Sequence, residues 1–340
     1  MAVDRKKPML CLPSVNGQLF LPARLSAEAC KFIHLLPKLM YHNDSKGISY
    51  TAGFFMLIAF AVAGLILASV LGSQLWQQMT GKSYSEMQKG MSDPANSHVM
   101  KIIQSVTAII GFFIPTLVTG ALLNRRPMKL LGFSSTDIKA GQVVLVILLV
   151  GASLLVATSL SYITNHTPIP ESWKIRFDNL EEEYNRQVSA IISLKNSKDY
   201  IVALIIMAFL PALCEETLFR GGLQNFLTRG TNMPWMSIMV VSILFSLAHF
   251  SFYGFLSRFF LGVVLGALFH YSGKLWLCIL AHFINNALAI TVLYISTQQG
   301  KPLQEAMKQD AASFWGILAV PVVIVLFILF KNTSIRRRII

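Results

Sequence analysis

The sequence has few charged residues for its length. Asp, Glu, Lys and Arg make up only 13% of its 340 residues, whereas they make up about 25% of an average soluble domain. So little charge cannot cover the surface of a folded chain of this size in water, and a hydrophobic share of 54% excludes a disordered chain. The composition therefore excludes ordinary soluble enzymes and indicates a membrane protein whose surface faces lipid.

Cysteine is also scarce, and the usual zinc-binding patterns are missing. The four cysteines form no CxxC pair and show no regular spacing, which excludes a disulfide framework and a zinc knuckle; they are Cys11, Cys30, Cys214 and Cys278. The absence of HExxH excludes a zincin-type metalloprotease. The 29 basic residues exceed the 16 acidic ones but are not interleaved with aromatic residues, so we predict no nucleic-acid partner.

Eight apolar segments are long enough to cross a lipid bilayer. They cover residues 50–73, 102–123, 141–164, 200–228, 234–251, 254–272, 275–296 and 313–330. We therefore predict an all-α polytopic fold, a bundle of about eight transmembrane helices at residues 50–330, between basic tails at residues 1–49 and 331–340. Lys and Arg are more frequent in the tails and even-numbered loops than in the odd-numbered loops. This bias predicts a multi-pass protein of the cell membrane with both termini in the cytoplasm.

The polar loop at residues 165–199 also has a helical pattern. Asp178 and Glu181 have the spacing of a capping pair, with Asp in place of the usual Ser or Thr. Apolar residues then recur at helical spacing, at Leu180, Tyr184, Val188 and Ile191. We expect a helix that begins near Asp178 and lies either on the membrane or on the protein surface.

Ionisable residues inside the apolar segments are the main functional signal. Only Glu215 and Glu216 among the 16 acids lie there, and Arg220 follows in the same segment. Each charge at the centre of a membrane helix costs about 2.5–3.5 kcal/mol, so such residues must pair, face water or act chemically. Glu216 and Arg220, at i and i+4, share a helix face and can pair. Glu215 is rotated by about 100° from Glu216, so we predict that its carboxylate stays free.

Two histidines and an asparagine in other apolar segments complete a set suited to hydrolysis. His249 and His282 are both embedded in spans, and Asn286 follows His282 by one helical turn. A carboxylate can take a proton from water, imidazoles can bind a metal or steer the water, and an amide can donate to an oxyanion. Each residue alone has a simple structural explanation, but together they predict that Glu215, His249, His282 and Asn286 converge on one cavity.

These residues belong to three short motifs that occur in order within residues 200–290. The motifs are EExxxR from Glu215 to Arg220, FxxxH from Phe245 to His249, and HxxxN from His282 to Asn286. In this order, and each in an apolar segment, they resemble the CPBP family of intramembrane proteases, which includes type II CAAX prenyl proteases and Abi or bacteriocin-processing proteins. Residues 200–290 would then be the catalytic core.

The resemblance implies an endopeptidase that cleaves a membrane-associated protein or peptide within the lipid bilayer. It implies that Glu215 activates the water; the remaining catalytic set would be Glu216, Arg220, His249, His282 and Asn286. It leaves a divalent metal such as Zn²⁺ open, with His249, His282 and Asn286 as its ligands. This ligand set is thin, because catalytic zinc usually has three protein ligands and a water.

Other functions remain open at this stage. Ionisable residues inside spans also form proton relays, so a proton-coupled transporter is one alternative, although it leaves the motif spacings unexplained. A non-catalytic immunity or scaffold protein with the same fold is another. A rhomboid-like serine protease would use Ser153, but small residues there are better explained by helix packing.

Overall fold

The computed structural model describes residues 44–134, 138–192, 194–307 and 314–335. Most of the tail expected at residues 1–49, and the end of the tail expected at 331–340, lie outside these ranges. All the helices of the described residues belong to the compact unit Lys46–Ile340. These residues form helices and no strand, so the predicted all-α polytopic membrane fold is confirmed.

Seven helices of the described residues are long and apolar enough to cross a bilayer. They are α1 (Tyr50–Thr80), α3 (Pro94–Leu123), α5 (Ala140–His166), α7 (Ser197–Thr231), α9 (Phe255–Ser272), α10 (Leu275–Gln298) and α12 (Phe314–Ser334). The other helices are α2 (Tyr84–Gly90), α4 (Pro127–Leu130), α6 (Glu171–Ile191), α8 (Pro234–Leu247) and α11 (Leu303–Met307). The long helices expose large apolar side chains, such as Phe55 at 64% and Ile66 at 63%. Lipid covers such side chains at no cost, as a membrane fold requires.

The span expected at residues 234–251 is shorter than the sequence indicated. Helix α8 has 14 residues and is therefore about 21 Å long, against about 30 Å for the hydrocarbon core. After Leu247 the chain tightens, because the N–H groups of His249 and Phe250 bond to carbonyls only three residues back. Phe250 then takes a left-handed φ of 51°, which ends the helix. His249 consequently lies in a turn after α8 rather than in a transmembrane helix.

The helix in the 165–199 loop begins earlier than its sequence pattern indicated. Helix α6 starts at Glu171, after Pro170, so Asp178 is an internal residue and does not cap the helix. The carboxylates of Asp178 and Glu181 bond instead to side chains in the turn that follows α8. These tertiary partners explain why the apparent capping pair does not start a helix.

Helix α7 is widened twice by π-helical segments, Leu204–Phe209 and Thr217–Gln224. The second begins directly after Glu216; such π segments are frequent at functional sites. Gly262 and Gly266 of α9 lie close by, and their carbonyl oxygens accept hydrogen bonds from α7 side chains. A Cβ atom at either glycine would meet a neighbouring side chain at 3.0 Å or less. Gly262 faces Ser242 of α8, and Gly266 faces Gln224 of α7, so the two glycines allow α9 to pack closely against both helices.

Candidate active site

A cavity of about 410 Å³ brings together polar side chains from each of the three motifs. The charged, imidazole and amide residues of its lining are Gln104, Glu215, His249, Arg258, His282, Asn285 and Asn286. Glu215 comes from α7, His249 from the turn after α8, and His282 and Asn286 from α10. The structure thus places on one cavity the four residues that the sequence predicted to converge. Glu216 and Arg220 are fully buried and do not line this cavity.

The carboxylate of Glu216 has two partners at once, a guanidinium and an imidazole. Its Oε1 atom lies 2.8 Å from Nη1 of Arg220, in the ion pair expected from their spacing. The same oxygen lies 2.8 Å from Nδ1 of His282. Arg220 also donates to the carbonyl of Gly262 at 3.3 Å, and its guanidinium lies over the ring of Phe245 at 4.6 Å. These contacts offset much of the cost of removing both charges from water, although Oε2 of Glu216 and Nε of Arg220 have no hydrogen-bond partner among the described residues. They also join four helices, α7 to α10.

The two histidines both have their Nδ1 atoms occupied. Nδ1 of His282 faces the carboxylate of Glu216, and Nδ1 of His249 lies 2.8 Å from the carbonyl oxygen of Phe245. A carboxylate and a carbonyl oxygen can only accept, so each Nδ1 carries a hydrogen and each neutral ring keeps a lone pair on Nε2. Both imidazoles therefore offer Nε2 to a ligand in the cavity.

Glu215 differs from its neighbour because no described residue satisfies its carboxylate. Its side chain is 18% exposed, and its Oε2 atom is buried without a hydrogen-bond partner. The nearest ring nitrogen, Nε2 of His282, is 3.9 Å from Oε2, which is too far for a direct hydrogen bond. A buried carboxylate oxygen is costly without a partner, so this atom is suited to accept a hydrogen bond from a water or a substrate.

Asn285 orients the amide of Asn286. Nδ2 of Asn285 donates to Oδ1 of Asn286 at 3.0 Å. Because the oxygen of Asn286 is engaged in this way, its NH₂ group is the part left to donate to a ligand. The sequence motifs do not include Asn285, and its position next to Asn286 is the signal that could have pointed to it.

The histidines and Glu215 do not form a metal site in this arrangement. Two Nε2 lone pairs and a carboxylate are donor types that zinc accepts. However, no three His, Cys, Asp or Glu side chains of the described residues are grouped closely enough to hold a metal ion. The amide of Asn286 is a weak addition to such a set. The residues present therefore do not fit a catalytic zinc, and the chemistry below is derived from the side chains alone.

Helix α6 covers the turn that carries His249, a contact that the sequence did not reveal. Glu181 accepts a hydrogen bond of 2.6 Å from the hydroxyl of Ser251, and Asp178 accepts one from the hydroxyl of Tyr253. Burial and the hydrogen bond to Asp178 raise the pKa of Tyr253 to about 12, so this donor stays protonated at neutral pH. These hydrogen bonds fix the turn against α6.

The same helix also forms part of the cavity wall. Tyr184 and Val188 of α6 line the cavity. A second cavity, of about 480 Å³, shares Tyr184, Glu215 and His249 with the first. Glu215 is therefore accessible from two adjoining spaces, as is suitable for an extended substrate that passes the carboxylate on both sides.

Comparisons with known proteins agree with the motifs. Residues 197–288 match the family model described as type II CAAX prenyl endopeptidase Rce1-like. The match covers less than half of the chain, but it includes all three motifs and most of α7 to α10. No curated protein and no solved structure matches the chain. The family model thus confirms the resemblance for the region that carries the three motifs.

Proposed function

We propose that the chain, a member of the CPBP family of intramembrane endopeptidases, hydrolyses peptide bonds with a water molecule activated by Glu215. The observation that carries this proposal is the unpartnered Oε2 atom of Glu215, buried in a cavity that His249, His282 and Asn286 also line. The distance of 3.9 Å to Nε2 of His282 leaves both atoms free to contact one water. A general base must reach its proton within about 3 Å.

The proposed reaction is a general-base hydrolysis. The water donates one hydrogen to the carboxylate of Glu215 and the other to the lone pair on Nε2 of His282. As Glu215 takes the first proton, the water oxygen attacks the carbonyl carbon of the scissile bond. The NH₂ group of Asn286 stabilises the resulting oxyanion. When the C–N bond breaks, Glu215 returns the proton to the leaving amine, so the carboxylate is regenerated.

Glu216 and Arg220 act without contacting the substrate. Glu216 holds His282 through Nδ1, which keeps the lone pair on Nε2, and Arg220 holds Glu216. His249 is fixed by the carbonyl of Phe245, so its Nε2 lone pair is left to accept a hydrogen bond from an N–H group of the substrate peptide. In this mechanism Glu216 and Arg220 are positioning residues. Glu215, His249, His282 and Asn286 form the catalytic set.

The test is cleavage of a defined membrane-associated peptide by the purified full chain. The family model is described as a prenyl endopeptidase, so the first probe is a farnesylated C-terminal peptide with a fluorophore and a quencher on opposite sides of the scissile bond. Removal of a general base costs about 100-fold or more, so Glu215→Gln should lose at least that much activity. The matched control is Glu182→Gln, which changes an exposed carboxylate on α6.

Two results would contradict the proposal. Full activity in the Glu215→Gln variant would exclude Glu215 as the base. Failure of the wild-type chain to release any peptide, with no protein accumulating in uncleaved form in cells that carry Glu215→Gln, would favour the transporter or the non-catalytic alternatives.

The topology is a separate part of the proposal. We expect a cell-membrane location with both termini in the cytoplasm, because Lys and Arg favour that side. Reporter fusions at the two termini would check this expectation. Reporters on opposite sides of the membrane would show that the short helix α8 does not carry the chain across.

A further inference from the structure

Arg258 is a cationic residue of the cavity that the proposed reaction does not use. It lies in the first turn of α9 and lines the same cavity as Glu215. Its Nη1 atom is buried and has no hydrogen-bond partner. Among the described residues its guanidinium forms no ion pair. Its Cζ atom lies over the ring of Tyr184, 5.5 Å from the ring centroid. Glu215, the acid that lines this cavity, is not within ion-pair distance of it.

Arg220 shows how this chain treats an arginine whose role is structural. Its guanidinium is fully buried, pairs with Glu216 and donates to a backbone carbonyl. A buried cation with no such compensation is costly. Unlike Arg220, the half-buried Arg258 has no ion pair among the described residues, so a ligand in the cavity can supply one.

The surroundings of Arg258 keep its guanidinium accessible to the cavity. Gly254 lies one helical turn earlier, and a Cβ atom there would overlap the guanidinium. Two other residues of the cavity wall also have buried polar atoms without partners: Oε1 of Gln104 and the hydroxyl of Ser153. An acceptor, a hydroxyl and a guanidinium in one apolar cavity complement a peptide that brings its own N–H, C=O and carboxylate groups.

We propose that Arg258 binds a carboxylate of the substrate peptide and so selects substrates that carry a negative charge near the scissile bond. A guanidinium presents parallel N–H donors that match the two oxygens of a carboxylate, which makes arginine the usual residue for this task. The carboxylate comes either from the C-terminus of the peptide or from an Asp or Glu side chain. This inference rests on the proposed function, since it names the class of substrate for the same cavity.

The experiment measures binding rather than cleavage, so that it does not depend on turnover. The Glu215→Gln full chain in detergent micelles is titrated with three fluorescent farnesyl-cysteine tetrapeptides. The first ends in a free carboxylate, the second in an amide, and the third in an amide but has glutamate as its last residue. A hydrogen bond to a charged group is worth about a 10- to 100-fold change in affinity. We expect at least one carboxylate peptide to bind about tenfold or more tightly than the neutral amide.

The variants then assign this preference to Arg258. Arg258→Gln in the same background should remove the preference, and Arg258→Lys should restore part of it. Arg186→Gln removes an exposed positive charge on α6 that is already paired with Glu183, so the preference should persist in this control. A gain for the third peptide alone would indicate a side-chain carboxylate, a gain for the first alone would indicate the C-terminus, and equal gains for both would show that Arg258 accepts either carboxylate.

The outcomes separate this inference from the proposed function. Equal binding of all three peptides, or failure to bind any, overturns the role of Arg258, and so does a preference that survives in Arg258→Gln. If Arg258→Gln does not fold, loss of part of the preference in Arg258→Lys decides the same question. A preference that depends on Arg258 in a chain that cleaves no peptide would support carboxylate binding and contradict the hydrolysis. Cleavage by wild-type protein without any carboxylate preference would do the reverse.

Discussion

Glu215 and Glu216 are neighbours in the sequence, but they face two regions that differ in how their charges are compensated. On the inner side of α7, Glu216 is paired with Arg220 and His282, and both charged members of the ion pair are fully buried. On the cavity side, Oε2 of Glu215 and Nη1 of Arg258 are buried without a hydrogen-bond partner among the described residues. The inner region thus resembles a structural ion-pair network, whereas the cavity side is incomplete until a ligand enters. The difference shows that adjacent identical residues acquire different roles from the helices that pack beside them.

The sharpest test of this comparison is the stability of the two glutamine variants. Glu216→Gln leaves Arg220 as a buried, uncompensated charge, and breaking a buried pair in this way costs about 3–5 kcal/mol. Glu215→Gln removes a carboxylate that has no protein partner, so the free energy of unfolding should stay the same or rise. Denaturant titration of both variants in detergent micelles measures the difference. A larger loss in Glu215→Gln would reverse our assignment of the two carboxylates.

A double variant refines the same prediction. When Arg220→Met is combined with Glu216→Gln, no charge remains buried on the inner side, so part of the lost stability should return. Activity should stay low in this variant, because the neutral amide that replaces the Glu216 carboxylate holds Nδ1 of His282 less strongly and can turn its NH₂ group towards the ring. Recovery of both stability and activity would show that Glu216 does not position His282.

Helix α6, which covers the turn that carries His249, provides a test for which we expect an effect of intermediate size. Glu181→Gln weakens the hydrogen bond to Ser251, and a hydrogen bond to a charged group contributes about 1.5–3 kcal/mol. The turn that carries His249 should then be less well fixed, so we expect kcat to fall by about tenfold or more. Ser251→Ala should have a similar effect, and the two changes together should cost little more than one. Peptide cleavage by the two single variants and the double variant measures this coupling.

The control for this test lies on the same helix. Glu182→Gln changes an exposed neighbour of Glu181 and should leave kcat unchanged. Independent, fully additive effects of the Glu181 and Ser251 changes would contradict the idea that α6 acts through this turn.

The sequence was sufficient to predict the contacts of this site within one helix, but not the contacts between helices. Helical spacing within one segment predicted the pair of Glu216 and Arg220, because the geometry of a helix fixes neighbours at i and i+4. The contact between Glu216 and His282 joins two helices and depends on how α7 and α10 pack, which no local spacing specifies. The partners of Asp178 in the turn after α8 escaped prediction for the same reason, and this residue was misread as a helix cap.

The end of α8 shows a second kind of limit. Hydropathy reads residues 234–251 as one apolar segment, because Ala248, Phe250 and Phe252 are as apolar as the helix before them. The helix ends through backbone geometry at Phe250 and through side-chain bonds to α6, which composition does not record. The sequence therefore predicts the type of the membrane spans well, but it predicts eight where the described residues form seven long enough to cross a bilayer, because a polar contact ends α8 inside an apolar stretch.

The smallest expected effect concerns a pair of amides at the edge of the cavity side. Asn285 satisfies the oxygen of Asn286 and leaves the NH₂ group open, so Asn285 is a positioning residue and Asn286 the oxyanion donor. A neutral hydrogen bond contributes about 0.5–1.5 kcal/mol, so Asn285→Ala should lower kcat by about 2- to 10-fold, with little change in KM. Asn286→Ala removes the donor itself and should cost more, about 100-fold or more, as for other oxyanion donors. Steady-state cleavage of the quenched peptide separates kcat from KM for both variants.

Asn285→Asp is the informative companion, because a carboxylate in place of the Asn285 amide accepts rather than donates and should turn the NH₂ group of Asn286 towards itself. If Asn285→Asp were as active as the wild type, the contact between the two amides would be incidental, and the orientation of Asn286 would have to come from the backbone of α10 alone.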